Sequence, residues 1–456
     1  MLLGLKSGVK RNFAILSIAT ICSKMIGFLR EVISAQKFGL SDDFDIYLSV
    51  FVIPSLITSL LLYAVPNIVI PKLELNRNIN KEGFYSYFSS HFFFPYILIL
   101  IFIVILYNSY LPIYIGYLKL PESKYILAMK IGRLLSLYVL FEAIFNILTV
   151  SSNARGKFFA PAFLHLTLQI SVIVSLILFS TEKGILSIGY GLAIGGFLEF
   201  LFFMLLLKKQ NVLKFFILKI SSTPNLISTG LVIIAIEFMG QLYSLADRMY
   251  LSETPSGYIT GLYYANILKE LPFVILGVSL GGVLLPKFTQ MYQNGEKVQL
   301  IRMVWISSLK VFLLASCIVL FLVSCGPFLV AILFERGAFT VENTNLTSRL
   351  LALYSLGLPF IFVHFLLVKF YYSVQAAKVV LIATFFSILL KYVLNYFFVL
   401  NKYYEGMALS TSLAFMLNST ILIVYNVCVI SSSLKQKKFV SSQKMAIDCN
   451  LYLRCE

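Results

Sequence analysis

Apolar residues along the chain gather into long runs, broken by short polar stretches where lysine and arginine concentrate. A helix needs about 20 predominantly apolar residues to cross the hydrocarbon core of a bilayer. Twelve runs meet that length: 12–36, 44–70, 89–112, 128–152, 159–180, 186–207, 223–247, 257–286, 303–324, 347–372, 377–400 and 405–431. The pattern predicts an all-α polytopic membrane protein of about 12 transmembrane helices. Residues 325–345, CGPFLVAILFERGAFTVENTN, leave two readings open: their apolar half either extends the ninth span or dips back into the membrane.

Composition sharpens this picture. The 456 residues are 59% hydrophobic and only 12% charged, whereas soluble domains are about one quarter charged. The first residues place a basic stretch before an apolar one. The apolar part is too long for the core of a signal peptide and no small-residue cleavage site follows, so it reads as a first transmembrane helix. The formal net charge of +17 does not indicate nucleic acid, because the cations punctuate loops instead of clustering on a soluble domain. Their distribution fixes an expected topology, since cytoplasmic loops retain positive charge. With the N-terminus inside, the inner segments hold Lys6, Lys10, Arg11, Lys72, Arg77, Lys81, Arg155, Lys157, Lys208 and Lys209. Lys214, Lys219, Lys287, Lys297, Arg302, Lys378 and the tail cations Lys435, Lys437, Lys438 and Lys444 follow. The outer loops hold only Lys37, Lys119, Lys124, Lys183, Arg336 and Lys402. Both termini are expected to be cytoplasmic.

The second and eighth spans resemble each other. FDIYLSVFVIPSLITSLLLYAVPNIVIPKL and GYITGLYYANILKELPFVILGVSLGGVLLPKF each carry an early proline, Pro54 or Pro272, and each end on a Pro-Lys pair at Pro71 or Pro286. Six spans separate them, so the copies share one orientation, as in a parallel duplication of two six-helix bundles. The expected divisions are an N-terminal bundle (1–207), a cytoplasmic linker (208–222), a C-terminal bundle (223–431) and a basic cytoplasmic tail (432–456). This is a transporter architecture, with the substrate site expected between the halves near the midplane.

Charges inside the spans are the candidate chemistry. A Lys or Arg at the centre of a membrane helix costs about 2.5–3.5 kcal/mol on insertion scales, so such residues face a partner or a watered cavity. Lys24, Arg30 and Glu31 lie on the first span, and Asp45 begins the second at a depth that would let it meet Arg30. Either Arg30 locks two helices through Asp45 or Glu31, or it lines a substrate cavity. Asp247 and Arg248 end the seventh span; Lys269 and Glu270 sit beside Pro272; Lys391 lies deep in the eleventh. Lys130, Arg133 and Lys369 lie near span ends, from which they can snorkel. Cations from both halves would attract an anion, with phosphate or pyrophosphate as the obvious class. The carboxylates Glu142, Glu199 and Glu237 leave proton coupling open.

Signals for other chemistry are weak. The chain has no phosphate loop of the GxxxxGK[ST] type and no HExxH, and His91, His165 and His364 are scattered. The six cysteines, Cys22, Cys317, Cys325, Cys428, Cys449 and Cys455, show no CxxC pair or metal spacing and read as small hydrophobes. GYGLAIGG (189–196) superficially suggests a dinucleotide loop, but it lies within an apolar helix with no preceding strand, so its small residues serve close helix packing. No enzyme activity, cofactor or metal is expected.

SKMIGFLREVISAQKFG followed by Asp45, then NARGKFFAPAF (153–163), IGYGLAIGG, LYYANILKELPFVILGVSLGGVLLPKF (262–288) and LFERGAFT (333–340), together resemble the MurJ (MviN) family of lipid II flippases. The resemblance runs over nearly the whole chain. It implies membership of the wider superfamily that also holds polysaccharide flippases and MATE drug exporters. It also implies a cation-rich central cavity, and transfer of an undecaprenyl-pyrophosphate-linked saccharide to the outer leaflet of the bacterial inner membrane by alternating access. On that resemblance Lys24 and Arg30 match cavity arginines and Asp45 an important aspartate of the second helix. Glu31, Asp247 and Arg248 join them as candidate substrate contacts. Thr58 and Ser59 stand where the family has two arginines, Leu61-Leu62-Tyr63-Ala64 where it has Ala-Glu-Gly-Ala, and Asn266-Ile267 where it commonly has Asp-Arg. The family also resembles fourteen-helix proteins, against twelve spans here. Lipid II leads as substrate, with another lipid-linked repeat unit second. A cation-coupled drug exporter and a scaffold for cell-envelope enzymes are the remaining classes, and nucleic acid is not an expected partner.

Overall fold

A computed structural model describes residues 7–75, 80–157, 159–217, 219, 226–250 and 252–426. The tail and its cysteines Cys428, Cys449 and Cys455, part of the 208–222 segment, and the side chain of Glu237 lie outside the described residues. Among the described residues, twelve long helical segments follow one another. They are α1 (Ser7–Phe38), α2 (Asp42–Leu75), α3 (Lys81–Phe88) continuing through a π-helical turn into α4 (Phe94–Tyr117), α5 (Glu122–Ala154) and α6 (Phe159–Leu164) with α7 (Leu166–Lys183). Then come α8 (Leu186–Lys209), α9 (Leu226–Arg248), α10 (Tyr258–Gln293), α11 (Lys297–Phe334), α12 (Val341–Ser355) with α13 (Leu358–Ser373), α14 (Ala377–Leu400) and α15 (Gly406–Asn426). Eight are long and apolar enough to cross a membrane by length and composition, and nine if the α12–α13 pair, bent by 45°, is one span.

Of the two readings open for 325–345, the structure selects the extension of the ninth span, because α11 continues to Phe334 and carries Pro327 without a break. The tenth is bent at Leu356–Gly357 between α12 and α13. A Cβ on Gly357 would lie 2.8 Å from the Ser412 Cα, so that bend brings two backbones together. The 213–217 part of the expected linker is packed against the protein. Ser86 Oγ donates to the Phe215 carbonyl at 3.0 Å, the Ile217 N–H donates to Ser89 Oγ at 3.0 Å, and Phe216 sits among Tyr85, Phe88 and Phe93. Arg155, of the NARGKFF stretch, stacks over Phe84 and Tyr85 in the same cluster.

The chain divides into two compact units: 1–265 with 325–350 and 398–404, and 266–324 with 351–397 and 405–456. In the first unit α5 packs against α2, α4 and α8, and α7 packs against α8 and α1. Small residues set those approaches. A Cβ on Gly191 would lie 2.6 Å from the Val172 Cα, and one on Gly195 3.0 Å from the Leu168 Cα. Without a hydrophobic drive in lipid, such close van der Waals packing and interhelical hydrogen bonds hold helices together. Tyr114 donates to the Ser49 carbonyl at 2.8 Å, joining α4 to α2. The second unit uses the same device: Tyr371 donates to the Leu422 carbonyl at 2.6 Å, Ser419 to Phe360 at 2.7 Å and Ser412 to Leu353 at 2.8 Å.

Candidate functional site

All six sequence-derived site residues lie in the first unit. Arg30 and Glu31, on α1, pair with each other. The Arg30 Nε–H donates to Glu31 Oε1 at 3.0 Å, and its Nη2 reaches the same oxygen. The Arg30 side chain keeps 24% of its surface exposed and that of Glu31 only 8%, so the cation looks outward from a buried carboxylate. Of the two partners open to Arg30 in sequence, the structure selects Glu31.

Asp45 does not meet Arg30, because its carboxylate is engaged elsewhere. It is buried and accepts from the Gly257 N–H at 2.6 Å, the Thr260 N–H at 2.6 Å and the Thr260 hydroxyl at 2.5 Å. Gly257 is the residue before α10, and Thr260 is its third. A helix starts with unpaired N–H groups that a side chain at the capping position normally satisfies. Gly257 has no side chain to do so, and its φ of +84° with the Leu40 carbonyl close by admits only glycine readily. Asp45 supplies the cap from α2, with its negative charge at the positive end of α10.

Arg248, the last residue of α9, donates from Nη1 to the Leu48 carbonyl at 2.9 Å, using a second lone pair of a helical carbonyl. Tyr47 and Tyr263 are electrostatic neighbours of both Arg30 and Arg248. The two arginines therefore share one tyrosine pair as neighbours. An aromatic wall continues from Tyr47 through Phe44 to Tyr264, which meets Phe334 and Phe339. Asp247 is buried beside Arg248. Lys24 is exposed on α1, six residues before Arg30, and forms no ion pair among the described residues. The structure thus brings Arg30, Glu31 and Arg248 around Tyr47 and Tyr263, sets Asp45 one turn away from Leu48, and leaves Lys24 apart. Outside this group, Lys269 is buried over the Tyr354 ring and Lys391 is fully buried, both in the second unit.

Sequence reasoning did not identify Gly257, Thr260, Tyr47 or Tyr263. The signal for the first two was the Ser-Gly-Tyr-Ile-Thr stretch after Pro255, a helix start whose capping position lacks a side chain. The LFERGAFT stretch also acquires a place. The Ala338 N–H donates to the Gln36 carbonyl at 2.9 Å, so this loop is docked on the end of α1.

Long apolar helices, a partly exposed arginine paired with a buried glutamate among them and a helix start capped across the bundle define a multi-pass helical membrane protein. Comparison with solved structures agrees with this class. A multidrug resistance MATE family transporter of the MOP superfamily, facing inward, superposes with a TM-score of 0.70 at 13% identity, over 92% of this chain and 99% of that one, a likeness of fold. A lipid II flippase MurJ in an inward closed conformation superposes with a TM-score of 0.72 at 26% identity, over 90% and 87%. The family model described as lipid II flippase MurJ matches residues 34–449. A relative from Buchnera aphidicola subsp. Acyrthosiphon pisum, named "Probable lipid II flippase MurJ", is 31% identical over 96% of this chain and 86% of its own length. One of the same name from Rickettsia prowazekii is 26% identical over 98% and 88%. The chain belongs to the MurJ family.

Proposed function

We propose that this protein moves an undecaprenyl-pyrophosphate-linked saccharide, lipid II first among them, from the inner to the outer leaflet of the bacterial inner membrane. The observation that carries the reading is the pair of arginines, Arg30 within α1 and Arg248 at the end of α9, that share Tyr47 and Tyr263 as electrostatic neighbours. Guanidinium groups match a pyrophosphate bidentately and keep their charge. The names of the family and its relatives support the same substrate.

In this reading Arg30 and Arg248 hold the headgroup, with Lys24 as a further cation, Glu31 orients Arg30, and Asp247 tunes Arg248. Asp45 fixes the start of α10, and releasing that cap accompanies the change of access. The two halves, 1–207 and 223–431 with their linker 208–222, alternate to expose the site, and the protein makes and breaks no covalent bond. Both termini and the 432–456 tail face the cytoplasm, as the lysine and arginine bias directs. Membrane lipids surround it, and enzymes that make or use the lipid-linked saccharide are the protein partners.

The test is complementation in bacteria depleted of their own lipid II flippase. Wild-type protein restores growth, while Arg30→Glu and Arg248→Glu fail at equal membrane abundance. Failure of the wild type, with the protein present, assigns another lipid-linked repeat unit or a different cargo. Rescue by both charge-reversal variants overturns the arginine site.

A further inference from the structure

Three side chains that the proposed transport site does not use converge in the first unit. Glu142 comes from α5, Glu199 from α8, and His165 from the single-residue break between α6 and α7. Their ligand atoms all lie within 4.8 Å of one another. The packing that gathers them is local. A Cβ on Gly196 would lie 3.3 Å from Phe141 Cβ, which brings α8 against α5 beside Glu142, and Gly195 does the same for α7 at Leu168. One turn further along α8, Glu199 points into the junction of all three helices.

The carboxylates there lack the partners that buried polar groups normally have. Glu199 has no exposed surface, and neither of its oxygens makes a hydrogen bond of good geometry, its polar neighbours including the Glu142 carboxyl group and the Leu168 N–H. Glu142 is 4% exposed; its Oε1 accepts a long bond from Asn146 Nδ2 at 3.4 Å, and its Oε2 has none. His165 Nδ1 approaches Glu199 Oε1 to 3.2 Å without hydrogen-bonding geometry, and its ring lies flat against Phe145. No lysine or arginine forms an ion pair with either carboxylate among the described residues. Two buried acids facing a nitrogen donor, with unused oxygens and no fixed cation, form a ligand set without its ion.

We propose that Glu142, His165 and Glu199 bind a first-row divalent cation of the zinc or manganese kind. A dication balances two carboxylates, and an imidazole nitrogen in the set favours such metals over sodium, magnesium or calcium, which prefer all-oxygen sites. Zinc takes nitrogen and oxygen ligands at about 2.0–2.2 Å, and small side-chain rotations bring the three groups to that range. Three protein ligands leave a coordination position for water or a second carboxylate oxygen. The 38% exposure of His165 gives the ion a route in. A bound ion ties α5, α7 and α8 together. None of this was readable as metal spacing, because the three residues sit on separate helices.

The test uses the full chain in detergent, stripped with chelator and then loaded with zinc or manganese, with sodium and magnesium as comparison ions. One tightly held ion per chain, and a saturable rise of several degrees in unfolding temperature with zinc or manganese alone, are expected. Glu199→Gln, Glu142→Gln and His165→Gln each weaken retention at least about ten-fold, while His91→Gln leaves it unchanged. Should a ligand variant fail to fold, X-ray absorption on the loaded wild type decides, with mixed nitrogen and oxygen ligation by a single imidazole expected. No metal-dependent shift in the wild type, undiminished retention in the ligand variants, or a metal without imidazole ligation overturns the proposal.

Discussion

Asp45→Asn isolates the cross-bundle cap. The aspartate accepts three hydrogen bonds from the start of α10, two of them on Oδ1 from Thr260 and one on Oδ2 from Gly257. Asparagine can keep its carbonyl oxygen toward Thr260, but its amide then presents N–H groups to the Gly257 N–H, replacing an acceptor with a donor. A hydrogen bond to a charged group contributes about 1.5–3 kcal/mol, and an unsatisfied buried donor costs about 1–3 kcal/mol. The lost charge at the helix start removes about 0.3–1 kcal/mol more. We therefore expect Asp45→Asn to destabilise the protein by about 2–4 kcal/mol. Asp45→Ala, which removes all three bonds, falls at about 3–5 kcal/mol, less than three independent bonds would sum to because two share one oxygen. Thermal unfolding of purified protein in detergent reads the loss as a fall of several degrees. A double-mutant cycle with Thr260→Val should give a coupling of about 0.5–3 kcal/mol. A cysteine placed at Ser256 should label faster in Asp45→Asn, because the start of α10 opens. Unchanged unfolding, no coupling to Thr260 and unchanged labelling would together refute the cap.

Other outcomes follow from the packing. Gly191→Leu should collapse yield of folded protein, since even a Cβ there would lie 2.6 Å from the Val172 backbone, whereas Gly240→Ala, with open space at the Cβ, should be neutral or stabilise α9 by up to about 1 kcal/mol. Gly337→Ala should cost about 1–3 kcal/mol by unfolding assay, because this residue has a φ of +59° and packs on the Gln36 carbonyl at the end of α1. Arg248→Lys keeps the charge but loses the forked geometry. It should lower transport less than Arg248→Gln, and equal loss in both would show that the guanidinium shape is what matters.

Charge in apolar surroundings was the most informative sequence signal, and it singled out residues that the structure brings together. Arg30, Glu31, Asp45, Asp247 and Arg248 stood out because each carries a solvation cost in a membrane span, and the structure gathers three of them, Arg30, Glu31 and Arg248, near Tyr47 and Tyr263. Their pairings were less legible. Asp45 and Thr260 are 215 residues apart, and nothing in a hydropathy pattern says that a carboxylate on α2 will cap α10 instead of meeting an arginine one helix away. Twelve helical segments followed from run lengths, and the extension of the ninth past residue 324, with Pro327 accommodated in α11, was one of two readings left open, but the bend of the tenth at Gly357, where Ser412 comes close, was not legible. Glu142 and Glu199 were visible as buried acids. Their convergence with His165 depends on the close packing allowed by Gly195 and Gly196, which sequence places only as small residues in a helix.

The central claim is tested most directly by reconstituting the purified protein in liposomes and following the leaflet position of lipid II with a reagent that modifies only the outer leaflet. The wild type should accelerate transfer well above protein-free vesicles, and Arg30→Glu and Arg248→Glu, equally folded and incorporated, should return it to the protein-free rate. Transfer at the wild-type rate in both variants, or no acceleration by the wild type, would contradict the assignment of these arginines to a lipid-linked pyrophosphate.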